Sequence, residues 1–138
     1  MMPARALALP LLAALAVAGC GTASKTSAGK FSGESKNVAQ TVDDLSSAAR
    51  KSDEKAICTQ LFARSLVQQL NSGSSTCQKT VGTQIDSADD TTLTVNAVKV
   101  AGSNATATVT SKFDGHNQKR TLKLVRENGG WRIAGYAG

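Results

Sequence analysis

A chain of 138 residues with 41% hydrophobic, 4% aromatic and 19% charged side chains has material for one modest core, which excludes a multidomain enzyme. Sixteen Lys and Arg against ten Asp and Glu give a net charge of +6, but the cations are dispersed with no run longer than two. No basic stripe tracks a phosphate backbone and few aromatics could stack on bases, so nucleic acid is excluded as a partner. The surplus charge serves solubility, with weak attraction to an anionic membrane or wall polymer as an addition.

The N-terminus reads as an address. Arg5 supplies a short positive region, residues 7–18 an apolar stretch, and Val17-Ala18-Gly19-Cys20 a small-residue site that ends in a thiol. The apolar stretch is shorter than the ~20 residues a membrane-spanning helix needs, so it is expected to be a cleavable leader. Val17-Ala18-Gly19-Cys20 resembles the lipobox of bacterial lipoproteins, which implies a diacylglycerol thioether on Cys20 and cleavage after Gly19. The alternative is an ordinary secretory leader cut after Ala16-Val17-Ala18, with Cys20 an incidental thiol. On the lipobox reading, residues 1–19 are a signal peptide and residues 20–33 carry the lipidated Cys and a tether. The protein then works on the extracytoplasmic face of the cell membrane.

From Gly21 to Lys30 the chain is small and polar without apolar periodicity, and a coil of that length reaches roughly 20 Å. Beyond it, Val38, Val42, Leu45 and Ala49 recur at helical spacing and predict a first helix from residue 36 to residues 50–52. Asp53 offers an N-cap for a second helix, in which Ile57, Leu61, Phe62, Leu66 and Leu70 form one stripe before Asn71-Ser72-Gly73 ends it. A short third helix or turn over 76–85 carries Cys77 and Val81.

After Asp89-Asp90 the texture changes to β-branched residues in period-two alternation, predicting strands over 92–100, 104–113, 119–127 and 131–136. Gly102-Ser103, Asp114-Gly115 and Asn128-Gly129-Gly130 are turn chemistry, and such short turns force antiparallel neighbours. The expected fold is α+β, with N-terminal helices packed on one face of a four-stranded antiparallel meander. Ala105, Ala107, Val109, Leu122, Leu124, Trp131 and Ile133 share the covered face, while Thr106, Thr108, Thr110, Lys123 and Arg132 point away.

Cysteine parity fits the address. With Cys20 lipidated, the three cysteines become one plus a pair, and an extracytoplasmic location permits Cys58 and Cys77 to oxidise. A metal site is the rival reading, but two cysteines at this spacing with His116 far downstream match no zinc pattern. A catalytic cysteine is the other rival, and neither thiol has a His or charged base near it in sequence.

Three features together resemble small actinobacterial-type lipoproteins whose mature domain is nuclear-transport-factor-2-like (NTF2-like, or cystatin-like). They are Ala56-Ile57-Cys58 with a second Cys at 77, the Asn104-Ala105-Thr106-Ala107-Thr108-Val109 strand, and the closing Gly129-Gly130-Trp131-Arg132-Ile133. The resemblance makes residues 34–138 the domain and implies a curved sheet wrapped around a helix into a cone, often with a pocket at its open end. The superfamily hosts isomerases, dehydratases, transport adaptors and accessory subunits, so the fold alone names no activity.

Enzymes of this fold use polar groups inside the cone. Here all ten acidic residues fall on predicted helix surfaces, caps, turns or strand ends, and His116 lies at a hairpin tip. No catalytic set, metal cluster or cofactor motif is found, and Tyr136 is the strongest polar candidate for chemistry. Phe62, Phe113, Trp131 and Tyr136 are the candidate lining of an apolar pocket. The expectation is a non-catalytic domain that binds a partner protein or a small apolar ligand at the cell envelope. The alternatives are an isomerase or dehydratase, or an accessory subunit of a membrane complex.

Overall fold

The computed structural model describes residues 26–137, so the leader, Cys20 and the first part of the expected tether, to residue 25, lie outside the described residues. Four helices precede four strands: α1 (Gly33–Arg50), α2 (Glu54–Ala56), α3 (Arg64–Leu70), α4 (Cys77–Asp86), then β1 (Leu93–Ala101), β2 (Asn104–Phe113), β3 (His116–Glu127) and β4 (Gly130–Tyr136). The strands form one antiparallel sheet in the order β1-β2-β3-β4, the expected α+β meander. No helix among the described residues is long and apolar enough to cross a membrane.

Turn chemistry sets the sheet. Asp114-Gly115 and Asn128-Gly129 hold positive φ at both central positions, as a two-residue hairpin turn requires. So tight a turn leaves residues 116–118 opposite β2, and β3 therefore starts at His116, paired with Phe113, rather than at the expected residue 119. Register breaks fall between Val95 and Ala97 and between Lys123 and Leu124, irregularities of the kind that increase the local twist of a strand. The seven residues assigned to the covered face are all buried.

Three further sequence expectations are corrected. The first helix begins at Gly33, not residue 36. The second is not one helix over 53–70. Asp53 does cap it, accepting from the Ala56 amide at 3.0 Å, but Ile57–Leu61 widens into a π-turn and Phe62 turns extended at ψ 141°. The cause is the open edge of β4. Phe62 forms a parallel bridge with Ile133, and the Ala63 amide donates to the Ile133 carbonyl at 2.8 Å, a bond to the sheet that replaces the helical one.

The third correction concerns where the folded body begins. The sequence places residues 26–33 in the tether, yet Ser27 and Ala28 are 4% and 3% exposed and start a 3-10 turn over Ala28–Lys30. The Asp43 carboxylate, expected on a helix surface, is buried and accepts from the Ser27 amide at 2.8 and 3.0 Å and from the Ala28 amide at 2.8 Å. The Ser27 hydroxyl then accepts from the Val95 amide at 2.9 Å, and Ser46 accepts from the Leu93 amide at 2.7 Å. One carboxylate thus pins the strap, and two serines satisfy two amides of edge strand β1, those of Leu93 and Val95.

The helical layer carries its own core of Ile57, Cys58, Cys77 and Val81, closed by a disulfide between Cys58 and Cys77 with Cα atoms 6.1 Å apart. The bridge ties the π-turn to the first residue of α4, where Thr76 caps the helix by accepting from the Lys79 amide at 3.2 Å.

Two stability outcomes are expected in urea unfolding. Replacing Cys58 and Cys77 together by Ser lowers stability by about 3 kcal/mol, the chain-entropy value for a loop of this length. Asp43→Ala strands two buried amides and costs about 2 kcal/mol, with Asp43→Asn costing less because one acceptor oxygen remains. An Asp43→Ala midpoint equal to the wild type would remove the strap from the account of stability.

Candidate functional site

Helices and sheet do not close flush. Between them lies a cavity of about 410 Å³ whose floor includes Leu93, Leu122 and Ile133 of the sheet. Leu45 and Ala49 of α1 wall one side, and Leu66 and Leu70 of α3 another. Val81 and Ile85 of α4 complete the roof that the disulfide holds. Thr80, Gln84, Thr91 and Tyr136 are the polar side chains of the lining, and the Tyr136 phenol is its single titratable group.

Of the four aromatics proposed to line a pocket, the structure brings two to it. Phe62 lines the cavity because the break at β4 turns it under α3, and Tyr136 stands at the rim, 65% exposed. Phe113 is outside the lining and 56% exposed, at the far end of β2 beside the Asp114-Gly115 turn. Trp131 also lies outside it, at the opposite end of the sheet in the core beneath the start of α1. His116 is exposed on the first residue of β3 and lines no part of the cavity. Leu45, Leu66, Leu70 and Ile85 were missed as lining because an aliphatic stripe reads identically whether it meets a core or a void.

Trp131 has a polar role instead. Its indole N–H donates to Glu34 at 2.8 Å, and Arg126, paired with the same carboxylate at 2.6 Å, lays its guanidinium 5.3 Å from the indole centroid. The Trp131 hydrogen bond, followed by the Arg126 charge and hydrogen bond, holds the Glu34 carboxyl below its ordinary 4.5. Asp90 is also lowered, first by its hydrogen bonds from Thr92, which lies at the entry to β1. Neither carboxylate borders the cavity. Among the described residues no group of three His, Cys, Asp or Glu is placed to hold a metal ion.

No family model matches the sequence, and no curated protein matches it. Among solved structures, the chain is similar to a designed NTF2-like protein at 16% identity and a TM-score of 0.50, over 76% of this chain and 100% of that one. At that identity the likeness carries the fold alone: the chain has an NTF2-like α+β fold, with the cavity between the helices and the covered sheet face.

Glu34 reports its own ionisation. A carboxyl lowered in the folded state stabilises the fold above its unfolded value, and that contribution is lost as pH falls through the folded value. Trp131 is the single tryptophan of the chain, so its fluorescence in acid should show a step centred below pH 4.5. Glu34→Gln should abolish the step, and a step that survives belongs to another group.

Proposed function

We propose that this chain is a lipid-anchored domain on the extracytoplasmic face of the cell membrane, held by a diacylglycerol on Cys20, that binds a small apolar ligand without transforming it. The observation that carries the binding role is the cavity of about 410 Å³, within the ~300–1,000 Å³ of small-molecule sites and lined by aliphatic side chains from every layer of the domain. Its apolar walls cannot hold a buried charge, and its titratable group is a half-solvated phenol at the rim. That lining supports holding over chemistry, since general acid-base work needs a group placed at the reacting atom. The anchor rests on the lipobox resemblance at Val17-Ala18-Gly19-Cys20, and a disulfide suits the oxidising side of a membrane.

Two measurements test the parts separately. Native mass spectrometry of the full chain extracted from its own membrane should show Cys20 as the first residue with acyl mass attached, and an unmodified thiol would remove the anchor. For the cavity, neutral N-phenylnaphthylamine should bind with a fluorescence rise. Ala88→Trp, which narrows the rim, should weaken that binding about tenfold, as expected where a bulky ring displaces the ligand. Phe113→Ser, outside the lining, should leave it unchanged. Equal binding by all three proteins would place the probe elsewhere.

A further inference from the structure

The cavity is apolar, but one side of its rim is cationic. Tyr136 lines the cavity and also lines a second depression of about 320 Å³, shared with Thr108, Lys119, Arg120 and Thr121. The Arg120 guanidinium lies 5.7 Å from the centroid of the Tyr136 ring, and its Nη2 donates to Gln118 at 3.2 Å. One aromatic ring therefore joins an apolar chamber to a cationic one.

The sheet creates this junction. β4 makes its last pair at Tyr136 with Leu122, and the Ala137 amide donates to the Thr121 carbonyl at 2.8 Å. β3 continues without β4 beside it from His116 to Arg120, which leaves Lys119 and Arg120 open next to the rim. No Asp or Glu lines either depression. Among the described residues the ion pair is Arg126 with Glu34, and neither Lys119 nor Arg120 has a carboxylate within pairing distance. Two neighbouring cations that no described carboxylate pairs attract an anion, whereas the aliphatic chamber beyond the ring accepts only an apolar group.

We infer that the ligand is an amphiphile with one apolar chain and an anionic head, a fatty carboxylate or an alkyl phosphate. The chain lies against Leu70 and Ile85, and the head sits between Lys119 and Arg120 at the Tyr136 ring. The inference rests on the cavity being a ligand site and adds the charge and direction of the ligand.

The test uses the full chain in its own membrane and three diazirine-bearing probes of one chain length: a fatty acid, its alcohol and its phosphate ester. Peptides are mapped by mass spectrometry after irradiation. A solvated rim ion pair changes affinity by up to about fivefold, so two should make the anions label the peptides holding Leu70, Ile85 and Tyr136 about tenfold more than the alcohol does. The more strongly labelling anion names the head. Lys119→Gln combined with Arg120→Gln should bring both anions down to the alcohol, and Arg120→Lys alone should keep most of the preference. Equal labelling by all three probes in the wild type would overturn the anionic head while leaving the cavity as a ligand site. No labelling of these peptides would overturn both readings, and a preference that survives the double substitution would overturn the assignment to Lys119 and Arg120.

Discussion

The structure depends on how a wide apolar sheet face is covered by too little helix. The inner face runs unbroken from Val95 to Ile133, and α1 buries its stripe of Val38, Ala39 and Val42 against part of it. The remaining cover comes from α2, α3 and α4, short pieces that could not hold position by helical propensity alone. They are fixed at two places: the disulfide joins the π-turn to α4, and the Ala63 amide fastens the start of α3 to β4. The result is two cores, one on the sheet and one among the helices, with Leu45 and Phe62 packed against both. The cavity is the seam between them, since its lining draws on residues of each.

This origin gives the site its character. A seam between two apolar clusters has apolar walls, and polarity enters where the covering elements run out, at Tyr136 and the unaccompanied end of β3. The acidic residues lie elsewhere: Glu34 organises Trp131 and Arg126, Asp43 holds the strap, and Asp53 caps α2. Each has a structural partner. The single titratable group of the lining is the Tyr136 phenol, and what the cavity does is set by its side chains, since the fold alone names no activity.

The sheet was legible because its signals are local. Alternation at Ala105, Ala107 and Val109 and the turns at Asp114-Gly115 and Asn128-Gly129 each need only a few neighbouring residues. The elements that escaped depend on distant partners. Nothing in Leu61-Phe62-Ala63-Arg64 breaks helical periodicity, since the break is imposed by a carbonyl on Ile133, far along the chain. Asp43 and Asp44 look alike in sequence, and only the return of Ser27 distinguishes the buried carboxylate from the solvated one. A faint signal existed: Asp43 and Ser46 follow Ala39 and Val42 at helical spacing on the buried side, an unusual place for polar residues. Of the cavity, its aliphatic half was hidden among core positions, and the aromatics pointed to half the answer, Phe62 and Tyr136 but not Phe113 or Trp131.

The strap has a consequence for how molecules of this protein meet one another. A sheet with exposed amides at its edge is a template on which a neighbouring strand can assemble. On β1, Ser27 and Ser46 occupy the amides of Val95 and Leu93, and on β4 the carbonyl of Ile133 is taken by Ala63. Both sides of the sheet are closed to strand addition at these positions by parts of the chain outside the sheet. On β1 the closure is conditional, because Ser27 is held there by the carboxylate of Asp43. Where copies are crowded together, release of a few residues ahead of α1 would turn a self-contained domain into one with an adhesive edge.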